Sequence, residues 1–175
     1  MDRVKFREAM HKALRAMWAR KLGLKTLDTT LMHDLLRLMV RTRVDYTIFF
    51  RALSHIPDTL TALRKSFYHP TSEELDALWL DWLQRWRALV TRSGDIQETS
   101  DAMKRVNPCI TWREWLIAPA YQQAEQGDYD LVHELQSVFS KPYDEPAPEL
   151  ATKYDRLRPK QFFNAGGVSH YSCSS

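Results

Sequence analysis

Apolar residues recur along most of this chain at the spacing of a helix. Phe6, Met10, Ala13, Leu14 and Met17 share one face and predict an amphipathic helix over 3–21, closed by Gly23. Asp28 or Thr29 can cap the next, whose stripe is Leu31, Leu35, Leu38 and Met39. Asp45 reads as a fresh cap ahead of Ile48, Phe49, Ala52 and Leu53. Residues 29–43 and 46–56 are therefore two helices or one bent helix, stopped by Pro57, with a short helix over 59–66. Thr71 and Glu74 form a capping box before a long run bearing Leu75, Leu78, Trp79, Trp82, Leu83, Trp86 and Leu89. Three Trp on one stripe bury a broad face, and core packing is the first reading of them.

Ser93-Gly94 ends that run, and a short helix over 95–105 stops before Asn107-Pro108. A helix over 111–126 contains Pro119, which predicts a kink or a division. Gly127-Asp128 reads as a helix stop followed by a new cap. A last helix over 129–140 turns Leu131, Val132, Leu135 and Val138 inward, and Pro142 ends it. Beyond Pro142 the periodicity fades and Pro and Gly accumulate. The expected fold is all-α: an irregular helical bundle over 1–141 with an extended tail over 142–175. No alternation long enough for a sheet and no internal repeat is visible.

Composition narrows the class. With 44% hydrophobic and 27% charged residues the chain can build a core and is neither fibrous nor wholly disordered. No stretch of 18 apolar residues occurs, so no membrane contact is expected. The start, Met-Asp-Arg-Val-Lys-Phe, lacks a secretory pattern, and two cysteines cannot make a disulfide framework. A cytoplasmic or mitochondrial-matrix setting follows as the default.

Charge is unevenly spread. Residues 1–65 hold 14 Lys/Arg against 6 Asp/Glu, whereas residues 66–150 hold 7 against 15. Such a dipolar chain can set its halves against each other or against a partner. The bases are spread around their helices and form no single stripe, so nucleic acid is not an expected partner.

Little catalytic chemistry is visible. There is no Gly-rich phosphate loop, and Gly166-Gly167 lacks the Lys or helix that would make one. The six His are scattered and none has metal-ligand spacing. Glu73/Glu74 fits a helix start, and Asp144/Glu145 sits in a Pro-rich segment. Cys109 lies near an expected helix start, which favours a thiolate, while burial would do the reverse. Cys173, between Ser172 and Ser174, is placed for thiol exchange with a distant partner.

Several motifs are jointly specific: Asp45-Tyr46-Thr47 with Phe50-Arg51, Asn107-Pro108 with Arg113, Gly127-Asp128-Tyr129, Pro142-Tyr143-Asp144-Glu145, and the final Ser172-Cys173-Ser174-Ser175. Together they resemble the C-terminal part of the selenoprotein O (SelO/YdiU) family, protein adenylyltransferases with a pseudokinase-like fold. The resemblance implies a parent that transfers AMP from ATP to Ser, Thr or Tyr hydroxyls of proteins, using Mg or Mn. It places the nucleotide- and metal-gripping residues in an N-terminal kinase-like domain, so no catalytic, cofactor-binding or metal-binding residue is expected in this chain. By the same resemblance Cys173 is a redox candidate, matching a near-terminal selenocysteine or Cys. Arg37, Arg41, Arg43 and Arg51 are expected to face the acidic half or the absent domain. The chain is then expected to be inactive alone, with a bracing or redox role and an apolar patch left exposed. A self-standing helical interaction module without activity is the alternative.

Overall fold

The computed structural model describes residues 3–163. It contains helices and turns, and among the described residues no strand forms; one antiparallel bridge pairs Val44 with Phe67. The helices are α1 (Arg3–Lys21), α2 (Thr29–Thr42), α3 (Tyr46–Leu53), α4 (Glu73–Ser93), α5 (Ile96–Lys104), α6 (Glu114–Ala124), α7 (Asp130–Phe139) and α8 (Pro148–Tyr154), with 3₁₀ turns at Leu60–Ser66 and Lys160–Phe162. No helix of the described chain is long and apolar enough to cross a membrane. The chain divides into two compact units, residues 1–107 and 108–175.

In the first unit, the helix starts are set by side-chain caps. Asp28, Asp45 and Asp95 accept the backbone N–H of Leu31, Ile48 and Glu98 at 2.9, 3.1 and 2.9 Å. Ser72, not Thr71, caps α4, accepting the Leu75 N–H at 3.3 Å. Thr71 instead donates to Asp76, which also receives Arg64 at 2.5 Å. The break between α2 and α3 is made by Arg43, whose left-handed φ of 49° turns the chain.

The core of this unit is the stripe foreseen on α4, except for Leu78, which is exposed. Trp79, Trp82 and Trp86 are fully buried, with Phe49, Phe50, Leu35, Leu53 and Leu63 around them. The Trp82 and Trp86 rings stack 6.0 Å apart at 5°. Their indole N–H groups donate to the Leu31 and Leu22 carbonyls, both at 2.9 Å, which ties α4 to α2 and to the end of α1.

The second unit gathers Cys109, Ile110, Trp115, Leu116, Leu135, Val138 and Tyr154 into its own core. Pro119 lies inside α6 without interrupting it. Residues 111–113, expected to begin that helix, are instead non-helical, and the Cys109 N–H donates to the Pro142 carbonyl at 2.7 Å. The region expected as an extended tail holds a further short helix. Pro148 stands at the first turn of α8, where its missing N–H is harmless, and α8 places Tyr154 in the core. Seven residues are too few to show a helical period, which is why the sequence concealed it.

Candidate functional site

The densest polar arrangement lies buried in the first unit, where the ends of α1, α3 and α5 meet Asn107. The Lys21 ammonium donates to Asn107 Oδ1 at 2.8 Å, and Asn107 Nδ2 donates back to the Lys21 carbonyl at 2.9 Å and to Ser54 Oγ at 3.0 Å. Ser100 Oγ donates to the Ser54 carbonyl at 2.7 Å. Lys21 Nζ also sits over the Phe50 and Tyr46 rings, 4.8 and 5.1 Å from their centroids. Burial pushes the Lys21 ammonium below its usual pKa and the Tyr46 phenol above its own.

Arg51 belongs to the same knot. It is 3% exposed, and its guanidinium donates to the carbonyls of Lys104 and Asn107, both at 3.1 Å. These are carbonyls left at and beyond the C-terminal end of α5, where a cation is favoured. Arg51 thus meets main-chain groups of the stretch 66–150 from inside the first unit. It sits on the inner face of α3, among Ile48, Phe49, Phe50 and Ala52, and reaches inward.

The other three expected interface arginines are at the surface. Arg41 pairs with Glu74 of the acidic half at 3.7 Å, with both side chains largely exposed. Arg37 and Arg41 flank a shallow groove between α2 and α4 that also meets Val40, Leu78 and Arg85. Arg85 bridges Asp34 and Asp81 at 3.0 and 2.8 Å. Arg43 is the exposed cap residue behind α2.

Of the two thiols, Cys109 is 3% exposed, with its sulfur 3.9 Å from Glu145 Oε2. Cys173 lies outside the described residues, as does the Gly166-Gly167 pair.

In the second unit Glu134 anchors α8 to α7. Lys153 Nζ donates to Glu134 Oε1 at 2.6 Å, and the Tyr154 hydroxyl donates to the same oxygen. The Lys153 bond first, and then that of Tyr154, lowers the Glu134 pKa.

Two apolar surfaces stand out among the described residues, and sequence reasoning foresaw one only in outline. From Val4 to Ala16 every residue of α1 is exposed. Its stripe of Phe6, Met10 and Leu14 is 54%, 51% and 49% exposed. In the second unit, α6 and α7 flank a groove of about 670 Å³ lined by Trp112, Ile117, Tyr121, Tyr129, Val132 and Phe139. Trp112 is 68% exposed and stacks on Phe139 at 5.0 Å. Val132, expected inward, is 37% exposed, because Leu131, Leu135 and Val138 take the inner face of α7. The exposed aromatics Trp112, Tyr121 and Tyr129 fit no single stripe, so periodicity could not group them.

Comparison with known proteins fixes the family. A profile described as "Protein adenylyltransferase SelO" matches residues 2–140. A "Protein nucleotidyltransferase YdiU" of Aromatoleum aromaticum is 36% identical over 173 residues, covering 92% of this chain and 32% of that protein. A protein of the same name from Pseudomonas fluorescens is 40% identical over 136 residues, covering 73% of this chain and 26% of its own length. One from Azoarcus sp. is 36% identical, covering 97% of this chain and 34% of its own length. The chain thus spans about a third, or less, of the length of these curated relatives. It belongs to the SelO/YdiU family of protein nucleotidyltransferases.

Proposed function

We propose that this chain is the C-terminal helical portion of a protein adenylyltransferase, and that it braces the enzyme without carrying its reacting centre. The parent reaction would move AMP from ATP to a Ser, Thr or Tyr hydroxyl of a protein. The observation that supports bracing is where the buried polar side chains of the first unit point. Lys21, Arg51, Ser54, Ser100 and Asn107 all bond to one another or to carbonyls at helix ends. Thr42 and Ser66 bond to carbonyls of their own turns, and Asp45 caps α3. These groups hold helices in place and do not converge on a cavity.

The described residues do not fit the implied cofactors. Among them, no group of three His, Cys, Asp or Glu is placed to hold a metal ion. Of the described glycines, Gly23 packs against Met103 and Thr99, and Gly94 and Gly127 stand on open turns, so these three form no phosphate cradle. By the family resemblance, ATP and Mg or Mn would be held by the remainder of the parent, where adenylyl transfer would rely on phosphate positioning and electrostatic stabilisation. Cys173 is the redox candidate by resemblance, and its partner thiol would also lie in that remainder, since Cys109 is buried.

The test is incubation of the purified chain with labelled ATP, Mg or Mn and a protein substrate, with and without the remainder of a full-length relative. Label transferred only in the mixture is expected. Transfer by these 175 residues alone would overturn the proposal.

A further inference from the structure

The seam between α2 and α4 lies within the first unit and carries a groove of about 680 Å³. An ion pair stands at each end, Arg41 with Glu74 at 3.7 Å and Arg85 with Asp34 at 3.0 Å, so the two helices run antiparallel. From Asp34 to Arg41 is about 10 Å of helix, or two turns. Between the pairs lie Leu36 and Val40, one turn apart on α2, and Leu78 of α4. Val40 is 79% exposed, more than any other large apolar side chain among the described residues, and Leu78 is 40% exposed. A helix lying along such a seam buries apolar side chains at this spacing.

The charges here are compensated except in the middle. Asp34 and Asp81 both bind Arg85, and Glu74 meets Arg41. Of the other acids on α4, Asp76 is held by Arg64, and Glu73 is the first residue of the helix, beyond the Arg41 pair. Arg37, one turn from Asp34 and from Arg41, has no hydrogen bond or ion pair among the described residues. A cation beside exposed apolar side chains is complementary to a helix that carries carboxylates next to leucines. Two copies joined groove to groove would set Arg37 against Arg37, so a second copy is the poorer fit. A small apolar centre ringed by charged groups is the make-up of a transient contact between separate proteins, whereas permanent interfaces are larger and more hydrophobic.

We propose that the α2/α4 groove docks an acidic amphipathic helix of a separate protein. Its leucines would sit on Val40 and Leu78, and its carboxylates would meet Arg37 and Arg41. The inference stands on the groove and does not depend on the adenylyltransferase reading.

The experiment is an NMR titration of the isotope-labelled full chain with a synthetic amphipathic peptide of Leu, Ala and Glu, about four helical turns long, and with the same peptide carrying Lys for Glu. The Glu peptide is expected to shift the amides of α2 and α4, with weaker binding as salt rises, and the Lys peptide to leave them unchanged. Arg37→Glu should weaken binding roughly tenfold and Val40→Ser roughly fivefold. Both positions are exposed, and circular dichroism establishes that each variant folds. No binding of the Glu peptide, equal binding of the Lys peptide, or binding that survives both substitutions overturns the proposal. A full-length relative that keeps these side chains at the aligned positions should bind the Glu peptide as well. Binding by this chain but not by that relative overturns the assignment to a separate protein and gives the groove to the remainder of the parent.

Discussion

Lys21 and Asn107, 86 residues apart, hold each other by two bonds: ammonium to amide oxygen at 2.8 Å, and amide nitrogen to main-chain carbonyl at 2.9 Å. Both are buried. The exchange fixes where α1 ends relative to the last residue of the unit. It also supplies a hydrogen-bonded partner for a cation held in apolar surroundings.

Asn107→Ala removes three hydrogen bonds and leaves the Lys21 ammonium facing aromatic rings alone. A loss of about 2–4 kcal/mol is expected. Lys21→Met in the same background should cost less than in the wild type, because the interaction it would break is already gone. A double-mutant cycle by urea denaturation measures this coupling.

Arg51→Met removes the two bonds to the Lys104 and Asn107 carbonyls while keeping most of the volume, and should lower stability by about 2–4 kcal/mol. Arg51→Glu sets a carboxylate against those carbonyls, and the first unit should fail to fold. Far-UV circular dichroism and chemical denaturation distinguish the two outcomes. A folded, wild-type-like Arg51→Glu would contradict the buried placement.

Much of this arrangement was legible in the sequence, and the exceptions have physical causes. The caps Asp28 and Asp45 and the Trp79/Trp82/Trp86 stripe follow from local chemistry, so two helix starts and the first core could be read directly, whereas the Asp95 cap was not singled out and the α4 cap was read one residue early, at Thr71. The burial of Arg51 was not read, because net charge says nothing of carbonyls at a helix end that need donors; its neighbours Phe49, Phe50 and Ala52 were the available signal. The Phe6–Met10–Leu14 face was legible as a stripe, but nothing local tells a covered stripe from an open one. The groove escaped notice because it joins a loop residue, Trp112, to two helices.

Glu134 makes the second unit sensitive to acid. Its pKa is lowered from an ordinary 4.5, chiefly by the Lys153 hydrogen bond and then by that of Tyr154. A carboxylate depressed in the folded state contributes stability above its unfolded pKa and loses it as pH falls through the folded value. Thermal stability should therefore decline below about pH 4.5. Glu134→Gln should be less stable at neutral pH and show a shallower acid limb. Melting curves from pH 7 down to pH 3 check the sign, and an unchanged acid limb would rule out this role.

The bond between Lys21 and Asn107 also bears on synthesis. A polypeptide leaves the ribosome N-terminus first, and a domain generally folds as one body. Here the opening helix is fastened by the final residue of its own unit. Until Asn107 has emerged, the nascent chain cannot lock that knot, and Lys21, Ser54 and Arg51 lack the partner that satisfies them in apolar surroundings. Premature termination shortly before that codon should therefore yield an aggregating product in place of a smaller folded one.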